Sequence, residues 1–291
     1  MSTLSREGSR VSLLRWSGLR RMPPFLILVA FLVLGVVAVM ALFASALEPY
    51  PPDALDFQSV AASPSSEHWL GTDTLGRDIL SRIIAGADMA ITGPLFVAVT
   101  GMLAASLLGI VSGYLGGSVD MVIQRCVDFM FALPGLLIAI VIVGVTGGGY
   151  WMAVVVLALL NVAGGIRIIR SATLEQRALP YVEAARTLGV PRWRIMYVHI
   201  WRNISAIVFA NAALDFALAL VALSSLSYLG LGTQPGVPEW GLMLAENQSL
   251  LFTNPVGVLS PGLAIVFLAT SVTIIGDWIY DRFSYGGRTG R

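Results

Sequence analysis

The residues able to do covalent chemistry are few and scattered. Cys126 is the single cysteine, and His68 and His199 are the only histidines. One thiol permits no internal disulfide, and two histidines so far apart make no ligand cluster of their own, so no metal site is expected. All eighteen basic residues are arginine; the chain contains no lysine. It therefore supplies no P-loop, whose lysine must reach the β/γ-phosphates, and no Schiff-base nucleophile. What remains is the chemistry of binding, concentrated in a polar stretch from Tyr181 to Asn203. Pro180 suits a first helical turn, and Glu183 sits where a negative charge meets the positive end of the helix dipole. Gly189 can take the left-handed conformation that ends a helix, and Pro191 then opens a second one. Ala184 and Ala185 give the first helix a small-residue face for close approach by another protein. Arg186, Arg192 and Arg194 offer charge for an acidic rim.

Two other polar sets call for a place. Between residues 73 and 84, Leu75, Ile79 and Ile83 recur at a spacing of four with Leu80 and Ile84 beside them, the stripe of an amphipathic helix. Asp73 is expected to cap that helix and to pair with Arg77 four residues on, with Asp78 alongside. Such a helix either anchors the following span at the membrane interface or forms a gate or docking surface at Asp73, Arg77 and Asp78. Asp215 lies within a long apolar run, where a charge costs at least ~2.5–3.5 kcal/mol, so it must face a translocation path, a partner or a buried donor. A bond to a neighbouring group is the simpler of these.

The elements that must position these residues are set by composition. The chain is 56% apolar and 12% charged over 291 residues, with a mean hydropathy of +0.80. Soluble domains carry roughly 25% charge, so lipid is the expected solvent. A bilayer core of ~30 Å takes ~20 helical residues. Six apolar runs meet that need, at residues 25–47, 91–115, 129–145, 151–166, 204–229 and 258–276. The first resembles a signal peptide, but its 23 apolar residues exceed the usual core of ~7–15, so it is read as an uncleaved span. With the amino terminus inside, sixteen arginines lie on the cytoplasmic side and only Arg77 and Arg82 outside, as the positive-inside rule requires. Both termini are then cytoplasmic. The expected division is a tail at 1–24, a first span at 25–47, an extracytoplasmic segment at 48–90, a core of five spans at 91–276 with a cytoplasmic loop at about 167–203, and a tail at 277–291.

The spacing of Glu183, Ala184, Ala185 and Gly189 resembles the EAA loop of binding-protein-dependent ABC permeases. The stretch His68-Trp69-Leu70-Gly71-Thr72-Asp73-Thr74-Leu75-Gly76-Arg77-Asp78-Ile79-Leu80-Ser81-Arg82 is similar to the segment before the second span in the dipeptide, oligopeptide and nickel permeases. Gly113-Tyr114-Leu115-Gly116-Gly117, Ala132-Leu133-Pro134-Gly135, Leu229-Gly230-Leu231-Gly232 and Trp240-Gly241-Leu242-Met243-Leu244 are further landmarks in that family's order. The nearer match is the C-type subunit of the oligopeptide permeases. Trp201-Arg202 replaces the family's usual Leu-Pro, so the fifth span is expected to enter without a proline break. Asp88 stands where an arginine is common.

The resemblance implies an all-α membrane protein with the type I ABC importer permease fold, located in the inner membrane of a prokaryote. It implies a second homologous permease, two ATPase subunits and an extracytoplasmic binding protein, with ATP and Mg bound on the ATPases and no cofactor on this chain. Glu183, Ala184, Ala185, Arg186, Gly189 and Arg192 would couple to the ATPase. The cargo would be a peptide, with nickel or another small solute as the alternative. An ion-coupled secondary transporter would carry several buried ionisable groups, and only Asp215 qualifies. A membrane-embedded enzyme would need paired acids or a metal site at one depth, and none is visible. A scaffold protein would associate without substrate-dependent ATP turnover.

Overall fold

The computed structural model describes residues 23–285. Arg6, Arg10, Arg15, Arg20, Arg21, Arg288 and Arg291, on which part of the expected orientation rests, lie outside the described residues, as do the first 22 residues of the expected tail at 1–24. The regular elements of the described chain are all helices, with one isolated bridge between Thr72 and Asp78 in the irregular stretch at 48–78. Five helices are long and apolar enough to cross a membrane, and six if one bent pair counts as a single span.

The first helix, α1, covers Pro24–Leu47, opens on a proline in its first turn and is the most apolar of the five. Helix α2 covers Ile79–Leu115 and begins twelve residues before the expected start at 91. At 1.5 Å per residue its 37 residues reach about 55 Å, well beyond a ~30 Å core. Its cap is Asp78, whose Oδ2 accepts from Ser81 N–H at 2.8 Å, and not Asp73 as expected. Only a residue directly before the first turn can reach its free N–H groups. Between Asp73 and the helix the chain turns through Gly76, at φ +76°, packed on the Asp56 carbonyl. Asp73 does pair with Arg77, Oδ2 to Nε at 2.6 Å.

The third expected span is not one helix. Helix α3 covers Gly117–Phe131, α4 covers Gly135–Val145, and the two are bent by 74°. Pro134, at φ −60° and ψ 119°, lies outside the helical region, brings no N–H and disfavours a helical residue before it, so the ladder breaks there. Helix α5 covers Tyr150–Arg177 and carries Arg167, Arg170 and Arg177 on its last turns, where a loop was expected. Its extension is bonded to α3: Asp120 accepts from Arg170 Nε and Nη2 at 2.6 Å each, and Asp128 from Arg167 at 2.7 Å. After α6, Pro180–Thr187, the chain runs helically from Arg192 to Tyr228. That run is α7 at Arg192–Arg194, a π-turn at Ile195–Ile200 and α8 at Trp201–Tyr228. It passes Trp201 and Arg202 without a break, as the missing proline implies, but takes one wide turn in which Trp201 N–H donates to Met196 O. The short α9, Trp240–Asn247, precedes α10, Pro255–Tyr285, which continues past the expected boundary at 276.

Small residues set the closest packing. A Cβ on Gly109 of α2 would stand 2.9 Å from Ile169 Cβ of α5, one on Gly113 2.7 Å from Thr173 Cβ, and one on Gly165 2.6 Å from Ala105 Cβ. Where lipid is as apolar as leucine, such close approach is what favours helix against helix. Gly109→Leu is therefore expected to lower the stability of the detergent-solubilised protein by about 1–3 kcal/mol in thermal unfolding. Gly35→Ala, whose Cβ would meet nothing within 4 Å, is expected to leave it unchanged or raised.

Candidate functional site

The described bundle has two polar ends. One carries α6 and the arginines of α5, α7 and α8; the other carries residues 48–78, the loop after α8, and α9.

At the first end, α6 is short enough that its termini decide its geometry. Gly189 takes φ +74°, its N–H donates to Arg186 O, and Val190 N–H donates to Ala185 O, each at 3.0 Å. This paired closure consumes carbonyls the helix leaves free and turns the chain back toward α7. Val182 and Ala185 point into the bundle, within an apolar cluster with Ile195, Met196 and Ile200. The small-residue face expected from Ala184 and Ala185 is thus split: Ala184 is exposed and Ala185 is buried, because adjacent helical residues point about 100° apart. Glu183, Ala184, Thr187 and Leu188 make the outward surface, and the Leu188 side chain is 82% exposed. Arg186 lies across Tyr114 at the end of α2, its Cζ 5.0 Å from the ring centre and its Nε–H donating to the phenol oxygen at 3.3 Å. It anchors α6 to α2 as well as offering charge. Arg192 is exposed with no carboxylate in ion-pair range among the described residues.

At the second end, Asp73, Arg77 and Asp78 are only 1%, 4% and 4% exposed. They meet groups of this chain. Glu246 Oε2 accepts from Arg77 Nη2 at 2.8 Å and Arg82 Nη2 at 3.2 Å, while its Oε1 accepts from Gly236 N–H at 2.9 Å. Arg82 also donates to the carbonyls of Gly236 and Pro52. Two buried guanidiniums are thereby matched by two carboxylates, which joins residues 48–78 to the α8–α9 loop. Asp78 additionally pairs with His68 Nδ1 at 2.9 Å. Glu246 and Arg82 were not singled out from sequence, because the bonds that join Glu246 to Arg77 and Arg82, and Arg82 to Gly236, cross 154 to 169 residues with no local spacing to mark them. Glu239 was missed for a different reason. It caps α9 by accepting from Leu242 N–H at 2.7 Å, a role more often taken by Ser, Thr, Asp or Asn.

Midway along α8, Asp215 is 8% exposed and accepts from Asn211 Nδ2 at 2.8 Å, one turn earlier on the same helix. Gly101 of α2 and Gly165 of α5 leave the space that these two side chains occupy.

Two outcomes follow. Gly189→Val is expected to cost about 1–2 kcal/mol locally, because a β-branched residue disfavours the left-handed conformation. Limited trypsin digestion would then cut faster at Arg186 and Arg192 while the bundle's thermal midpoint holds, and Gly189→Asn would restore resistance. Burial of Glu239 raises its carboxyl above the ordinary value of 4.5. The folded protein thus binds that proton more tightly than the unfolded chain. The stability it contributes is present below about pH 4.5 and declines as pH rises through the folded value. Glu239→Gln is expected to flatten that decline in thermal unfolding across the range.

The comparisons agree with this architecture. Residues 105–285 match the model of the binding-protein-dependent transport system inner membrane component. The chain is 35% identical to the glutathione transport system permease protein GsiD of Pectobacterium atrosepticum over 250 residues, covering 86% of this chain and 83% of that protein. It is 34% identical to the dipeptide transport system permease protein DppC of Alkalihalophilus pseudofirmus over 256 residues, covering 88% and 82%. It is 33% identical to the probable D,D-dipeptide transport system permease protein DdpC of Escherichia coli over 249 residues, covering 86% and 84%. With its apolar helices, its glycine-packed core and a match over most of its length, this chain belongs to the inner-membrane permease family of binding-protein-dependent transport systems.

Proposed function

We propose that this chain is one of two permease subunits of an ATP-driven importer, and that it forms half of a path for short peptides. The observation that carries this reading is the outward face of α6, an exposed surface of Glu183, Ala184, Thr187 and Leu188 on a helix whose opposite face is locked into the bundle. A helix so held transmits a push without absorbing it. In this reading the face docks on an ATPase subunit, with Arg186, Arg192 and Gly189 shaping the contact. The end that bears α6 is cytoplasmic, in line with its arginines, and both termini lie on that side.

ATP and Mg bind on two partner ATPases, and no ATPase site belongs to this chain, which lacks the lysine a P-loop needs. Closure of the ATPases moves α6, and the attached α5 and α7–α8 carry that motion toward the far end. An extracytoplasmic binding protein docks there and delivers cargo, and both ATP and the docked protein must favour the same outward-facing state. The peptide cargo is supported by the names of the relatives, which are dipeptide, D,D-dipeptide and glutathione permeases. Asp73, Arg77 and Asp78 serve the outer end by holding its surface in shape rather than by touching the binding protein. Asp215, bonded to Asn211, acts as a packing group; Asp215→Asn that abolishes uptake in an assembled complex would return it to the path.

The test is purification of the tagged chain from gently solubilised membranes, with mass spectrometry of its companions and an ATPase assay. A second permease, two ATPases and peptide-stimulated turnover are expected; the chain alone, from detergent that preserves such complexes, would overturn the reading. Within the complex, Glu183→Arg is expected to reduce stimulated turnover and uptake by about tenfold or more, as loss of one charged interface contact does. Membrane abundance of the chain should be unchanged, since Glu183 is exposed.

A further inference from the structure

Residues 48–78 fold without regular helix, yet polar contacts hold them firmly. Thr72 Oγ1 accepts from Ala62 N–H at 2.8 Å and donates to the carbonyl of Ser59, and Ala61 N–H donates to Asp73 O at 2.9 Å. The backbone of Asp56 sits directly on Gly76. These contacts lay residues 56–62 beside residues 72–76, the stretches that carry Phe57, Val60 and Leu75, with Leu55 directly before them. All four side chains are exposed, Phe57 at 75%. Trp69, on the same segment, is 70% exposed. Large apolar groups left bare on a rigid segment mark a surface that another body covers.

Charge says which body. Among the described residues Arg77 and Arg82 are the only arginines of this end, and both are buried in the pairs already described. His68 is paired to Asp78. The exposed charged groups of residues 48–78 are Asp53, Asp56 and Glu67, all acidic, and Asp53 Oδ1 stands 3.8 Å from Arg82 Nη1. Asp56 is held ionised by its own turn: the Gln58 N–H bonded to it at 2.9 Å, then the neighbouring Ser59 hydroxyl, push its carboxyl below the ordinary range. A rim of carboxylates is repelled by anionic lipid headgroups and attracts a basic protein face.

We propose that Leu55, Phe57, Val60, Leu75 and Trp69, with Asp53, Asp56 and Glu67 as an acidic rim, dock the binding protein through an apolar contact ringed by lysines or arginines. The assignment rests on the importer reading and specifies where and with what chemistry the binding protein is met. Phe57 supplies the anchor and the carboxylates steer the approach, so the two parts differ in their response to salt.

The experiment uses the complete complex in nanodiscs and, as probe, the purified binding protein that stimulates its ATP turnover. The double variant Asp56→Asn/Glu67→Lys, which leaves Asp53 in place beside Arg82, is expected to weaken the binding protein's Kd by about tenfold or more at low salt, with the difference shrinking as salt screens it. Phe57→Ser is expected to weaken it by a similar factor at every salt concentration. Basal ATP turnover without the binding protein should match that of the parent complex in both variants. Unchanged affinity in both variants of an assembled, hydrolysing complex would overturn the surface assignment and leave the importer reading standing. Quenching of Trp69 by brominated lipid, undiminished when the binding protein is added, would place the patch in the bilayer and overturn it as well. A parent chain that recruits no ATPase would sink the importer reading, and the docking assignment with it.

Discussion

A hydrocarbon solvent offers no hydrogen-bond partner, and nearly everything in this protein follows from that. Backbone groups must be satisfied within helices, and charges must leave the core or find a partner. The one acidic side chain at mid-depth, Asp215, is bonded to Asn211 in a space opened by Gly101 and Gly165. Among the described residues the other carboxylates and guanidiniums lie toward the two ends. Between the ends the helices are held by shape, since burying leucine against leucine is no better than leaving it in lipid. Gly109, Gly113 and Gly165 let α2 and α5 approach so closely that a single added carbon would collide. The resulting rigid pair connects the two polar ends.

Each end solves a different problem. At the end bearing α6, a helix of eight residues is too short to hold itself. The glycine closure at 189, the buried pair Val182 and Ala185, and Arg186 over Tyr114 fix it to the bundle. At the opposite end, an irregular segment is fixed by ion pairs that are costly to bury but matched in number. Removing either partner would strand a charge, so such a network specifies one arrangement strongly. Both ends present fixed surfaces on a stiff frame, which suits a subunit proposed to relay motion between an ATPase and a binding protein.

Much of this was legible in the sequence. Apolar run length located the five long spanning helices, and the composition of the 181–203 stretch located α6, its proline start and its glycine end. The third span was misjudged because hydropathy records only apolarity, while the break lies in the backbone restriction around Leu133 and Pro134. Helices α2, α5 and α10 outran their apolar runs for a related reason. Once polar residues such as Arg167 and Arg170 find partners on α3, the helix continues beyond the lipid. Ala185 was assigned outward with Ala184 because small size was read as a face, whereas direction along a helix changes with every residue. The partners of Glu246 and the π-turn before α8 left no local pattern, since each depends on contacts distant in the chain.

The central claim, that the outward face of α6 meets an ATPase, is tested most directly by cysteine cross-linking in the assembled complex. With Cys126→Ser as the background, Ala184→Cys and Ala185→Cys are compared using a short thiol-to-amine reagent. The account predicts a cross-link from position 184 to an ATPase subunit, sensitive to ATP, and none from position 185, whose side chain is buried. An assembled and active complex in which position 184 yields no ATPase adduct, or position 185 yields the stronger one, would contradict it.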